Sequence, residues 1–210
     1  MAKMINANAD WKNSNVQVFW GEIAPCDHLV QFYDNEMHFL NTLEGFAGSG
    51  FLANESVIII ATQQHLYELN KRLYSQGFDL PELIKQNKYF PMEASETLSI
   101  FTVNNWPEEK LFIDFINQLV EKAKLGSKKI RAFGEMVAVL WDQGHSGATV
   151  QLENLWHNVH AHNTFSLFCA YPKSGFTRNK CKSLDQICKA HSKIIDGENR
   201  PSTEIYYIAV

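Results

Sequence analysis

HLVQFYDNEMHFLNTLEGFAGSGFLANESVIIIAT, residues 28–62, reads as strand, tight turn, helix, loop and strand. His28 to Tyr33 is a short apolar run carrying the β-formers Val30, Phe32 and Tyr33. Asp34 or Asn35 then caps a helix, because a short side-chain oxygen accepts a hydrogen bond from a free first-turn amide. Met37, Leu40, Leu43 and Phe46 fall on one helical stripe. Gly48 and Gly50 are expected to end the helix, since glycine tolerates a left-handed C-cap. Val57 to Ile60 is a continuous β-branched run, the pattern of a strand buried on both faces. Strand, helix and buried strand make a βαβ unit, and such units build parallel sheets.

This unit opens many nucleotide-binding domains, yet its turn lacks the matching chemistry. A phosphate cradle needs glycines that let backbone amides converge on an anion, and a lysine with a serine or threonine at the helix start. Here the turn is Tyr33-Asp34-Asn35-Glu36, with no glycine, no lysine and two carboxylates. Charge repulsion argues against a triphosphate at that corner.

Outward from this unit, strands and helices continue to alternate. Leu66, Leu69 and Leu73 share a helical face that closes at Gly77. A short helical turn is expected around Pro81, a strand from Lys88 to Met92, and a short helix from about Ser95 towards Trp106-Pro107. Leu111, Phe112, Phe115, Ile116, Leu119, Val120 and Ala123 form the widest apolar stripe in the chain. Lys129 to Phe133 reads as a strand ending at Gly134-Glu135, followed by a short helix from Val137 to Trp141. A longer helix is expected from Ser146 to His162, a strand from Phe165 to Tyr171, and a helix from Leu184 to Ile195. EIYYIAV, residues 204–210, has the composition of a last strand, on an edge or paired with a partner. The expected fold is α/β, a three-layer sandwich with a mainly parallel sheet whose strands begin at His28, Val57, Lys88, Lys129 and Phe165. Residues 1–26 form a partly mobile lead-in, 27–196 the domain, and 197–210 a tail.

Composition narrows the function. A length of 210 residues suits one such domain. A net charge of -4 gives no electrostatic footprint for nucleic acid. No apolar run approaches the ~20 residues that cross a bilayer, and the N-terminus has no apolar signal core, so no membrane partner is expected. Cys26, Cys169, Cys181 and Cys188 therefore read as reduced thiols of a cytoplasmic protein.

Four segments acquire meaning together: HLVQFYD (28–34), RAFGEMVAVLW (131–141), LENLW (152–156) and FSLFCAYP (165–172), with ICKAHSKII (187–195) a weaker fifth. Their order and spacing resemble the MEDS domain, a prokaryotic sensory domain named from methanogens and methylotrophs. The resemblance spans roughly residues 27–196. It implies a RecA-like fold that has lost its nucleotide loop, and a signalling role beside histidine kinase or DNA-binding modules. It also implies recognition of small organic molecules, simple hydrocarbon derivatives among them. Output is then expected through a separate signalling protein, a histidine kinase or response regulator, or through homo-oligomerisation. A divergent nucleotide-binding hydrolase or transferase is the competing reading, and ATP affinity with magnesium separates the two.

Ligands of open α/β sheets bind outside the carboxyl ends of the strands. Tyr33, Asp34, Thr62, Glu135 and Tyr171 fall at such ends and are the expected ligand-binding residues. By the resemblance, Glu135 sits where a RecA-like ATPase carries acidic residues near its metal and attacking water. The alternative is that Glu135 simply caps the helix after it. His28, Cys169 and His191 are candidate sensing residues. Cys26-x-His28 lacks the paired spacing of a zinc module, and Cys181, Cys188 and His191 need two further ligands that the sequence does not name. No metal, cofactor or catalytic residue is therefore expected. His157, His160 and His162 read as a solvated helix end. Trp106, Trp141, Trp156, Phe133, Phe165 and Phe168 lie near strand–helix junctions, as apolar pocket or as core.

Overall fold

The computed structural model describes residues 20, 23–24, 27–175, 181–195 and 205–207. Cys26, the side chain of Cys181, nearly all of the lead-in and the tail apart from Ile205–Tyr207 lie outside the described residues. The strands are β1 (His28–Tyr33), β2 (Ser56–Ala61), β3 (Tyr89–Glu93), β4 (Thr102–Val103), β5 (Trp106–Pro107), β6 (Ile130–Gly134), β7 (Ser166–Pro172), β8 (Lys193–Ile195) and β9 (Ile205–Tyr207). The helices are α1 (Glu36–Leu52), α2 (Gln63–Ser75), α3 (Leu80–Lys85), α4 (Ala94–Phe101), α5 (Glu109–Lys124), α6 (Met136–Asp142), α7 (Ser146–His162) and α8 (Cys181–Lys189).

One sheet carries the order β3-β2-β6-β7-β1-β8-β9, parallel throughout except for β9. Five adjacent strands, β3-β2-β6-β7-β1, are those expected from the sequence. Two apolar clusters cover the two faces. Phe39, Leu40, Leu43 and Phe46 of α1 join Leu66, Leu69 and Leu73 of α2 on one side. Residues of α4 to α8 fill the other, including Leu98, Phe112, Ile116, Trp141, Trp156 and Ile187. The chain steps one way along the sheet through α1 and α2, then reverses through α4 to α8. A reversal of direction with one crossover hand must change face, as it does here. Neighbours β1 and β7, and β2 and β6, thus send their next helices to opposite faces. Crevices open at their carboxyl ends.

Of the two expected caps, Asn35 is the one used for α1: its Oδ1 accepts from the amides of Met37 (2.8 Å) and His38 (3.3 Å). Several other local expectations are corrected. Met37 is half exposed, and Phe39 takes the stripe position assigned to it. Helix α1 does not stop at Gly48 or Gly50 but runs on to Leu52. Gly50 is there for space, because a Cβ on it would lie 2.8 Å from Val57 Cγ2 and 3.1 Å from Arg131 Cδ. Gly50→Ala is expected to destabilise by about 1–2 kcal/mol in urea titration, overpacking outweighing alanine's helix preference. The expected helix from Leu184 to Ile195 ends at Lys189, and its last three residues are strand β8. Ser192 decides this: its amide donates to the His28 carbonyl (2.8 Å), and its Oγ accepts from the His28 amide (2.9 Å). Docking on the open edge of β1 outweighs local helix continuation. The hairpin β4–β5 was not anticipated; Asn104 and Asn105, at φ 52° and 60°, form its turn. Ile205–Tyr207 does form an edge strand, pairing with β8.

Candidate functional site

The carboxyl ends of β1, β2, β6 and β7 surround two adjoining clefts. The larger, about 520 Å³, is lined by Tyr33, Asp34, Glu36, Thr62, His65 and Pro172, among others. The smaller, about 270 Å³, shares Tyr33, Thr62 and Pro172 and adds Ser95, Glu135 and Asp142. Tyr33, Asp34, Thr62 and Glu135 are thus brought together. Tyr171 is not: it is fully buried, and its hydroxyl donates to Glu153. Strand alternation accounts for this, because Tyr171 shares a face with Leu167 and Cys169, beneath α7.

Glu135 follows β6 and occupies the N-cap position of α6, but its side chain makes no capping bond there. It reaches across the crevice instead. Its Oε2 accepts from the Thr62 amide (2.8 Å), and its Oε1 lies 2.7 Å from His65 Nδ1. The other ring nitrogen of His65 lies 3.2 Å from Glu36 Oε1, which also accepts from Gln64 Nε2 (3.1 Å). One carboxylate–imidazole–carboxylate relay therefore ties β6, α2 and α1 together across the cleft. The Tyr33 ring stacks on Phe39 at 4.6 Å, and Phe39 meets the His65 ring edge-on at 4.9 Å. Burial, together with Glu135, Glu36 and Asp142, pushes the Tyr33 hydroxyl up, so it remains a donor. At the rim, Lys173 pairs with Asp34 at 2.9 Å, bringing a cation that the local sequence lacks.

Burial lowers the His65 pKa, but the Glu135 hydrogen bond and the Glu135 and Glu36 charges more than offset it, leaving a net rise. A raised histidine contributes stability that is complete below the unfolded value of 6.5 and is lost as pH rises through the folded value. The stability advantage of the wild type over His65→Gln, measured by urea unfolding, is therefore expected to be larger at pH 6 than at pH 9. Equal advantages would rule out a charged His65 in the relay. Neither His65 nor Glu36 was picked out from the sequence. The available signal was their place in the first turns of the two helices that follow β2 and β1.

The candidate sensing residues form a second group, under α7. His28, Cys169 and His191 meet Glu153, and all four are buried. His160 packs against His28 at 5.6 Å, whereas His157 and His162 are exposed. The aromatic residues proposed as pocket or core are core: Trp141, Trp156, Phe133, Phe165 and Phe168 are at most 1% exposed. Trp106 alone is half exposed. The clefts are consequently polar and rich in acceptors.

No helix among the described residues is long and apolar enough to cross a membrane. No curated protein matches the chain. In fold it is similar to a solved structure from Pyrococcus horikoshii OT3, described as a structural study. Identity there is 12%, the TM-score 0.54, and 86% of each chain is covered. At that identity the likeness concerns the fold alone. Residues 27–192 match the family described as the MEthanogen/methylotroph, DcmR Sensory domain. That stretch contains both the relay and the buried group, and it is most of the chain; the protein belongs to the MEDS family, and its role is signal sensing.

Proposed function

We propose that the protein is a non-catalytic sensor that binds a small organic molecule in the strand-end clefts and relays its presence to a signalling protein. The observation that carries this reading is the Glu135 side chain, which bridges Thr62 and His65 instead of capping its own helix. A bridge between elements on opposite faces of the sheet is a natural two-state element. A ligand that competes for Glu135 frees α2 from β6, and differential affinity for the two arrangements shifts their populations. Acceptors dominate the lining: Asp34, Glu36, Glu135 and Asp142. The matching ligand is a small molecule with hydrogen-bond donors, an alcohol or an amine, and not a polyphosphate. The partner is a histidine kinase or a response regulator, in the cytoplasm. The acidic, glycine-free corner at Tyr33 to Glu36 supports recognition over nucleotide hydrolysis.

A thermal-shift screen of small alcohols and amines, with ATP–magnesium in parallel, tests this. A ligand at a hundredfold excess over its Kd contributes about 2.7 kcal/mol, or roughly 5–10 °C for a chain of this size. Glu135→Gln removes a charge-assisted acceptor and is expected to weaken binding about 10–100-fold. Equal affinity in Glu135→Gln, or saturable binding of ATP–magnesium alone, would overturn the proposal.

A further inference from the structure

The geometry points to a second, independent site: His28 Nε2, Cys169 Sγ, His191 Nε2 and Glu153 Oε2 form a closed binding site for one divalent transition-metal ion of the zinc type. The four ligand atoms lie within 4.8 Å of one another. Cys169 Sγ is 3.7 Å from His28 Nε2 and 4.0 Å from Glu153 Oε2. Glu153 Oε2 is 3.9 Å from His28 Nε2 and 3.6 Å from His191 Nε2. Metal bonds of about 2.0–2.1 Å to nitrogen and oxygen and about 2.3 Å to sulfur set tetrahedral ligand spacings of about 3.3–3.6 Å. Those four spacings need contraction by a few tenths of an ångström to close around an ion, and the remaining two, within 4.8 Å, by at most about 1.5 Å.

Independent features aim the donors inward. His191 Nδ1 lies 2.7 Å from the Ile187 carbonyl and must carry the proton to bond it. Nε2 is then a bare lone pair, fully buried, without a hydrogen-bond partner, and facing Glu153. A backbone carbonyl on the far ring nitrogen is the usual support of a ligating histidine. Tyr171 donates to Glu153 Oε1, which leaves Oε2 as the oxygen facing the group. The His28 and His191 rings stand 3.9 Å apart, close enough for both to reach one centre. Burial holds both imidazoles below their ordinary range, His191 to about 4, so both are neutral at pH 7 and fit to ligate.

The donor set selects the ion. One sulfur and two imidazole nitrogens exclude calcium and magnesium, which take oxygen ligands. All four ligands are buried among the described residues, as in structural and not catalytic zinc sites. The ligands come from β1, α7, β7 and the junction of α8 with β8. An ion there clamps α8 and β8 onto the core, adding to the three paired residues and the adjoining Ser192–His28 hydrogen bonds that hold this segment to β1. Metal occupancy would thereby control whether the C-terminal edge of the sheet is seated.

The test uses untagged full-length protein, stripped with a chelator and titrated with Co²⁺, then with Zn²⁺. The expected result is one equivalent bound, with the intense visible bands of tetrahedral cobalt and a thiolate charge-transfer band, both displaced by Zn²⁺. Cys169→Ser is expected to abolish the charge-transfer band, and Cys188→Ser to retain it. Tyr171→Phe, which removes only an outer hydrogen bond, is expected to weaken binding roughly 10–100-fold. Absence of stoichiometric binding by the wild-type protein overturns the proposal, whatever the variants do. So does a charge-transfer band that survives Cys169→Ser or disappears in Cys188→Ser.

Discussion

Arg131→Ala is expected to destabilise the protein by about 3–5 kcal/mol, the cost of breaking a buried ion pair from one side. Arg131 lies on β6 and is 5% exposed. Its Nε donates to Glu55, Nη1 to Ser49 Oγ (2.8 Å) and to the Phe46 carbonyl (3.3 Å), and Nη2 to the Trp20 carbonyl (3.2 Å). One guanidinium thus joins β6, helix α1, the loop before β2 and Trp20. Truncation strands Glu55, whose side chain is only 14% exposed, and removes a donor from the Trp20 and Phe46 carbonyls and the Ser49 hydroxyl. Partial access of water to Glu55 places the effect in the lower half of the range. Urea unfolding checks it, with Arg131→Lys expected to recover part of the loss, since lysine keeps the charge but not the fork. A loss below about 1 kcal/mol would mean that these bonds contribute little net stability.

Trp156→Ala is expected to cost about 3–5 kcal/mol as well, and to lower Tm by roughly 6–20 °C. Trp156 is 1% exposed on α7 and meets Phe112 edge-on at 5.0 Å. Its indole also lies over Gly134, where a Cβ would meet ring atoms at 3.4–3.6 Å. Gly134 immediately precedes Glu135, so the cavity left by the indole borders the backbone that carries Glu135. The variant is therefore expected to lose stability and to loosen the Glu135–His65 contact, read as a downward shift of the His65 pKa in an NMR titration. Trp156→Phe keeps most of the packing and is expected to show a smaller version of both effects. Loss of stability with an unchanged His65 titration would separate the core from the site.

The frame of the fold was legible because its causes are local. The β-branched run at Val57 to Ile60 and the apolar stripe from Leu111 to Ala123 carry their periodicity in a few consecutive residues. Four of the five expected ligand-binding residues do line the clefts, since residues at strand carboxyl ends must meet where neighbouring crossovers diverge. Tyr171 lies away from the clefts for a reason of parity: its side chain packs on the α7 face of β7. The role of Gly50 in α1 is hidden from the local sequence because Val57 and Arg131, on strands β2 and β6, set it. His65, Glu36 and Glu153 were invisible as functional residues, because a carboxylate or an imidazole in a helix has no pattern that tells a solvated position from a buried one.

By itself the chain dictated the strand–helix alternation, the parallel sheet, and an acidic, glycine-free first turn, because propensity, periodicity and local charge act over a few bonds. Folding alone decided what each carboxylate does. Residues 36, 65 and 135 become a relay, and residues 28, 153, 169 and 191 a buried ligand set, only when segments as many as 164 positions apart in the chain dock against each other. Hydrogen bonding and coordination require distances of a few ångströms, and those distances are properties of packing, not of order along the chain.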